Sequence, residues 1–121
     1  ALMRMWSYWL FSPKSFERKN YIEDFIKYAA AYQYFQSAEG FQGQVDAIAS
    51  FNACGRIKNI KSRTLIIIGS DDILIYPAES MRLAKGIKGS VSKVINNAGH
   101  CIHVERPDAF LSTVVQFLRR I

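Results

Sequence analysis

The sequence predicts an α/β fold in which a helical segment precedes a β-α-β-α unit with parallel strands. Most of the aromatic residues lie before residue 52, where no strand-like alternation occurs. After that point, two short β-branched runs appear, and a stretch with helical periodicity follows each of them. A strand-helix-strand order favours parallel pairing through a right-handed crossover. We therefore predict a helical segment at residues 1–54 and the β-α-β-α part at residues 55–121.

Residues 1–54 are predicted to contain three helices. The first covers residues 2–11 and ends at Ser12-Pro13, a helix-breaking pair. The second covers about residues 20–36, and Gly40 is predicted to end that region. Residues 44–51 are predicted to form a further short helix. Four aromatic side chains share one face of the second helix, namely Tyr21, Phe25, Tyr28 and Tyr32.

The β-α-β-α part begins with a predicted strand at residues 64–68. This run is short, continuous and β-branched, which is typical of a strand buried on both faces. Residues 71–76 are predicted to be a loop. Pro77 then suits the first position of a helix, where its missing N–H costs nothing. Either Gly86 or Gly89 is predicted to end that helix.

The second predicted strand covers residues 91–95, and residues 96–106 are predicted to be a loop. Pro107 begins the last helix, with Asp108 near the positive end of the helix dipole. The periodicity of this helix predicts a buried face consisting of Phe110, Leu111, Val114, Val115 and Leu118.

Composition and charge narrow the classes of protein to consider. The chain has 121 residues, of which 50% are hydrophobic, as expected of a globular protein. No apolar run is long enough to span a membrane and no leader sequence is recognised, so we expect a cytoplasmic protein without a membrane partner. The net charge of +6 comes from scattered basic residues, which favours a solvated surface over a nucleic-acid site.

The two cysteines, Cys54 and Cys101, are too few for a disulfide framework. We expect both thiols to be reduced. The run His100-Cys101-Ile102-His103 would crowd its ligands around a metal ion, and no second pair with zinc-like spacing occurs. No metal and no other cofactor are expected.

Two residues that could carry chemistry follow the predicted strands. Asp72 comes shortly after the first strand, and His100 comes shortly after the second. Active sites of open parallel sheets form beyond the carboxyl ends of the strands. A histidine can take a proton from a nucleophile, and a carboxylate can orient the histidine and stabilise its cation. We therefore expect the two side chains to meet.

The motifs around these residues resemble the C-terminal end of an α/β-hydrolase. They are Gly69-x-x-Asp72-x-x-x-x-Pro77, then Ala98-Gly99-His100, Glu105-x-Pro107 and Phe110. The resemblance covers residues 56–121 well and points to the branch of small esterases, lactonases and carbon–carbon bond hydrolases with a helical lid. Residues 1–54 resemble the lid more loosely, including Gly43-Gln44-Val45-x-Ala47.

The resemblance implies a role for each matching residue. Asp72 would be the triad acid and His100 the triad base. Asp71 is the competing carboxylate, ranked second because the family places two residues between the glycine and the acid. Glu105 and Pro107 would shape the entry to the last helix. The neighbours Cys101 and Ile102 are candidates for lining the pocket beside the histidine.

The 121 residues contain no G-x-S-x-G elbow, the motif in which the family carries its nucleophile. Ser70 adjoins the acid and does not fit such an elbow. The oxyanion-hole segment is absent too. We therefore expect the back portion of a longer hydrolase of carboxylic esters, lactones or related acyl substrates, inactive by itself. Both serine and aspartate remain open as the nucleophile, and a non-catalytic assembly or binding module is the alternative function.

The aromatic residues of the lid segment have two interpretations. They pack a core, or they bind a small apolar acyl substrate in the complete protein. The candidate substrate contacts are Trp6, Trp9, Phe25, Tyr28 and Tyr32. Two parallel strands also leave an open sheet edge. This edge predicts a homo-oligomer, or association with a missing N-terminal half.

Overall fold

The computed structural model describes residues 2–34 and 36–119. Within them, the helical segment and the strand-helix-strand-helix order are as the sequence predicts. A single 3-10 turn at Ile57–Asn59 precedes the first strand. The other elements are α1 (Leu2–Leu10), α2 (Pro13–Phe16), α3 (Tyr21–Ala30), α4 (Ala38–Ser50), β1 (Leu65–Gly69), α5 (Pro77–Gly86), β2 (Val91–Ile95), α6 (Ile102–Glu105) and α7 (Pro107–Leu118).

The two strands form a parallel pair with α5 as the crossover, which confirms the predicted α/β class. The register runs from Leu65 opposite Val91 to Gly69 opposite Ile95. The carboxyl ends of both strands therefore lie side by side. Among the residues that the structure describes, the outer edge of each strand is unpaired, and the predicted self-association depends on these edges.

The buried core is small and lies under the carboxyl end of β2. Its contiguous cluster consists of Ile95, Ala98 and Ile102, with Phe110 packed against them, and Phe11, Ile22, Ile68 and Ile87 are buried elsewhere in the described chain. The first strand, which was predicted to be buried on both faces, is half-buried over Leu65–Ile67 and buried at Ile68 and Gly69, whereas the first four residues of β2 are exposed. The elements that this chain supplies cannot cover both faces of the sheet.

The predicted buried face of α7 is correct in part. Phe110, Val114 and Val115 are half-buried, whereas Leu111 and Leu118 are 62% and 53% exposed. Within residues 2–34 and 36–119, no helix has the length and apolarity needed to cross a bilayer.

The predicted second helix is shorter than expected, because α3 ends at Ala30. The backbone tightens there: the N–H of Tyr32 donates to the carbonyl of Ala29, three residues earlier. Tyr32 consequently lies outside the helix whose face it was predicted to share. The third helix is longer than expected and begins at Ala38. Gly40 lies inside its first turn rather than ending the preceding region.

Two further boundaries have clear local causes. The side chain of Ser37 caps α4 by accepting the N–H of Gly40 at 3.0 Å. The predicted loop at residues 96–106 contains the single turn α6, in which the carbonyl of Cys101 accepts the N–H groups of Val104 and Glu105. A turn of four residues is too short for hydrophobic periodicity to reveal. The predicted starts at Pro77 and Pro107 are confirmed.

Candidate active site

The structure brings Asp72 and His100 together at the carboxyl ends of the two strands. The Oδ2 atom of Asp72 lies 3.0 Å from the Nδ1 atom of His100. A carboxylate only accepts hydrogen bonds, so Nδ1 carries the proton in this contact. The lone pair for proton transfer is then on Nε2, which is the arrangement that a general base requires.

Asp72 is held by the loop that follows β1. Its Oδ1 atom accepts the N–H groups of Leu74 at 2.9 Å and Ile75 at 3.0 Å. This turn, in which an aspartate side chain binds the backbone two and three residues later, uses one carboxylate oxygen and leaves the other for the imidazole. The residue is only 8% exposed, so its charge is shielded from water.

The competing carboxylate, Asp71, has different partners. Its Oδ1 atom accepts the hydroxyl proton of Ser70 at 2.7 Å, and its N–H donates to the carbonyl of Ala98 at 2.9 Å. The Ser70 hydroxyl also accepts the N–H of Asn97 at 2.9 Å. Ser70 and Asp71 thus tie the loop after β1 to the loop after β2, and Asp72 is the residue that contacts His100.

Two glycines allow these loops to pack closely. A Cβ atom on Gly69 would lie 2.3 Å from the carbonyl oxygen of Gly99 and 2.5 Å from that of Ala98. A Cβ atom on Gly99 would lie 2.8 Å from the backbone of Phe11 and Ser12. The need for glycine at both motif positions is therefore steric, since backbone atoms fill the space that a side chain would take.

Glu105 is the polar residue whose surroundings the sequence did not reveal. It is 3% exposed, and its carboxylate accepts the N–H of Ser12 at 2.6 Å and the hydroxyl of Ser15 at 2.8 Å. Its other oxygen accepts the N–H of Gly99 at 2.5 Å. Its position before Pro107 predicted only a role in helix entry; nothing in the local pattern indicated the two donor residues from a distant segment, Ser12 and Ser15.

The outer side of the imidazole is accessible, because the side chain of His100 is 40% exposed. Within residues 2–34 and 36–119, no hydrogen bond reaches its Nε2 atom. The adjacent thiol of Cys101 is not an activated nucleophile. Burial raises its pKa, and the nearby carboxylates of Glu105 and Asp72 raise it further. The thiol is consequently protonated at neutral pH.

The five aromatic residues proposed as substrate contacts do not share one cavity. Trp6 and Trp9, together with Met5 and Leu74, line an open apolar cavity of about 360 Å³. Leu74 belongs to the turn that holds the carboxylate of Asp72. This cavity therefore adjoins the loop of the acid.

The other aromatic residues lie elsewhere. Phe25 and Tyr28 line a different cavity of about 370 Å³, beside Val104. Tyr32 contacts Tyr34, with ring centroids 5.7 Å apart. Of the two residues beside the histidine, Cys101 is half-buried and Ile102 belongs to the core. The described residues contain no cluster of three or more side chains that could hold a metal ion.

No family model matches the chain, but individual relatives do. A carbamate hydrolase, RutD of Rhizobium rhizogenes, is 28% identical over 86 residues, which are 71% of this chain. The 2-hydroxy-6-oxononadienedioate/2-hydroxy-6-oxononatrienedioate hydrolase of Escherichia coli is 37% identical over 65 residues, or 54% of this chain. Among solved structures, the enol-lactonase of Burkholderia xenovorans superposes on 98% of this chain with a TM-score of 0.81 and 28% identity.

In each case the chain matches only part of the other protein. It covers 33% of the carbamate hydrolase, 23% of the Escherichia coli hydrolase and 44% of the enol-lactonase. The solved structures that resemble it are α/β-hydrolases, and the relatives are hydrolases. The helices and the two parallel strands of this chain correspond to the C-terminal portion of that fold.

Proposed function

We propose that this chain, which has the fold of the C-terminal portion of an α/β-hydrolase, supplies the acid and the base of a nucleophile-histidine-aspartate triad. The observation that carries the proposal is the 3.0 Å contact between Asp72 and His100 at adjacent strand ends. The reaction is hydrolysis of a carboxylic ester, a lactone or a related acyl compound.

Each residue has a defined task in this reaction. The Nε2 atom of His100 removes the proton of the nucleophile as it attacks the carbonyl carbon, and later returns a proton to the leaving group. Asp72 keeps the proton on Nδ1 and stabilises the imidazolium that forms. The nucleophile and the oxyanion donors come from protein outside the described residues. This fits the coverage of the relatives, of which the chain matches less than half.

The substrate class is proposed from two features. The names of the three relatives above describe a carbamate, an enol-lactone and an oxo-diacid, and each of these compounds contains a carbonyl group. The cavity lined by Trp6 and Trp9 adds an apolar surface beside the turn of Asp72. An apolar acyl portion bound there would place its carbonyl group near the histidine.

The test uses the complete polypeptide that contains residues 1–121 and a panel of p-nitrophenyl esters and lactones. Asp72→Asn should lower kcat by about 10⁴-fold, because an amide no longer fixes the required tautomer. The matched control is Asp71→Asn, which changes the adjacent carboxylate without touching the imidazole and should retain most of the activity. The 121 residues alone should give no turnover.

Two results would overturn this assignment. Activity that survives His100→Ala would remove the histidine from the mechanism. Loss of activity in Asp71→Asn but not in Asp72→Asn would identify the neighbouring carboxylate as the acid. A folded complete polypeptide that hydrolyses no member of the panel would favour the alternative of a non-catalytic binding module.

A further inference from the structure

The carboxylate of Glu105 joins two distant parts of the chain. One oxygen accepts the N–H of Ser12 and the hydroxyl of Ser15, and the other accepts the N–H of Gly99. The two serines lie at the junction between α1 and α2, which we call the helix junction (residues 10–15). Gly99 directly precedes the histidine. One buried side chain therefore connects the helix junction to the backbone that carries the candidate base.

A second contact holds the other side of the histidine to the same junction. The N–H of Cys101 donates to the carbonyl of Leu10 at 3.0 Å. The N–H groups on both sides of His100 are therefore tied to the helix junction. The N–H of Cys101 binds the junction directly through Leu10, and the N–H of Gly99 binds it through Glu105. Gly99 also lies against the backbone of Phe11 and Ser12, so the two segments cannot slide past each other. The backbone at His100 has little freedom to move relative to this junction.

We propose that Glu105 is a positioning residue, which locks the histidine backbone to the helix junction and so keeps the imidazole against Asp72. The inference rests on the proposed function in one respect, namely that His100 is the base. The helix junction also connects the apolar cavity to the base. Trp9 lines the cavity, and the next residue, Leu10, provides the carbonyl that accepts the N–H of Cys101.

The chemistry of the three contacts requires a carboxylate. Each of its two oxygens accepts one backbone N–H, from Ser12 and from Gly99. A glutamine has the same shape but only one acceptor oxygen, so either orientation points its NH₂ group at a backbone N–H. Glu105→Gln therefore breaks the connection with minimal change in volume. This makes it the informative variant.

The control is a variant that removes a different hydrogen bond between the helical segment and α6, one that does not involve the backbone next to His100. The hydroxyl of Tyr21 donates to the carbonyl of Val104 at 2.7 Å and so joins α3 to α6. Tyr21→Phe removes this bond and leaves the contacts of Glu105 in place. A purely structural role for Glu105 predicts the same behaviour in both variants, whereas a positioning role predicts a change at His100 in Glu105→Gln only.

The measurement is the proton resonance of His100 Nδ1–H in the complete polypeptide, identified by its loss in His100→Gln. We expect Glu105→Gln to shift or broaden this resonance, and Tyr21→Phe to leave it unchanged. With an ester substrate, Glu105→Gln should lower kcat about 10- to 100-fold while KM changes by less than about twofold, because the base is misplaced rather than the substrate. Ser15→Ala, which removes one of the three donors, should give a smaller shift of the same resonance.

The proposal is overturned by an unmoved resonance in Glu105→Gln, or by an equal shift in Tyr21→Phe. Should Glu105→Gln not fold, Ser15→Ala decides, and an unmoved resonance in that variant also overturns the proposal. Absence of hydrolysis by the unmodified polypeptide would count against the proposed function alone, since the resonance reports on the position of His100 without turnover.

Discussion

The candidate site and helix α4 are organised in opposite ways. At the site, hydrogen bonds join separate segments of the chain, such as Ser15 with Glu105, which are 90 positions apart, and Asp72 with His100, which are 28 positions apart. In α4, every residue is exposed, and the side-chain hydrogen bonds are local, such as Gln42 with Asp46. Its apolar face, formed by Phe41, Val45 and Ile48, has no cover among the described residues.

This difference shows that the conformation of the chain is fixed by more contacts at the candidate site than in α4. The largest fully buried side chains are Ile68, Ser7 and Ser12, and Ser12 belongs to the helix junction that packs against the backbone of Gly99. Within the described residues, no buried side-chain polar atom lacks a hydrogen-bond partner. Satisfied polar contacts, more than a large apolar core, therefore hold the site in place.

The largest effect on the free energy of unfolding is expected from adding one methyl group at the candidate site. Gly69→Ala places a Cβ atom against two backbone carbonyls, which no change of rotamer can relieve. We expect a loss of about 4 kcal/mol or more in the free energy of unfolding. The matched change in α4, Gly43→Ala, meets no atom within 4 Å and should stabilise the helix by about 0.5–1 kcal/mol.

Urea unfolding of the 121-residue chain, followed by circular dichroism, measures both glycine variants. Similar midpoints for the two variants would mean that the loops after β1 and β2 have room that this structure does not show. The comparison between the site and α4 would then lose its steric basis.

The second-largest effect on stability is expected from truncating an isoleucine to alanine, compared between the strand next to the site and α4. Ile68, near the end of β1, is 2% exposed, and its replacement by alanine should cost roughly 3 kcal/mol through lost burial and a residual cavity. Ile48, in α4, is 77% exposed, and Ile48→Ala should change stability by less than about 0.5 kcal/mol. Thermal unfolding of the two variants tests this. A cost at Ile48 equal to that at Ile68 would show that the apolar face of α4 is covered in solution.

The sequence predicted the parts of the fold that depend on local signals. Pro77 and Pro107 fixed two helix starts, because proline suits the first helical position. The β-branched runs located both strands to within one residue. Strand order predicted that a carboxylate after β1 would meet His100, since parallel strands bring their carboxyl ends to one edge, and the resemblance to α/β-hydrolases selected Asp72 over Asp71.

The features that the sequence did not reveal depend on contacts between distant segments. Two of the three donor residues of Glu105, Ser12 and Ser15, are 93 and 90 positions away in sequence, and no periodicity encodes these contacts. The separation of Trp6 and Trp9 from Phe25 depends on how the helices are placed, which helical periodicity does not specify. The start of α4 was recoverable, because Ser37 is a standard N-cap residue.

The smallest expected effect is a difference in reactivity between the two thiols. Burial and two nearby carboxylates raise the pKa of Cys101 above its ordinary value, so its reactive thiolate remains scarce as the pH rises through that value. Cys54 is exposed. With iodoacetamide near neutral pH, we expect Cys101 to be alkylated several-fold more slowly than Cys54, as measured by peptide mass spectrometry.

Unfolding in urea provides the control for this experiment. It exposes Cys101 to water and separates it from the two carboxylates, so the alkylation rates of Cys101 and Cys54 should become similar. Equal rates in the folded chain would mean that the thiol next to His100 is as reactive as an exposed thiol despite its surroundings. Cys101 would then be a candidate nucleophile for that histidine, and the proposal that the nucleophile comes from outside the described residues would no longer be needed.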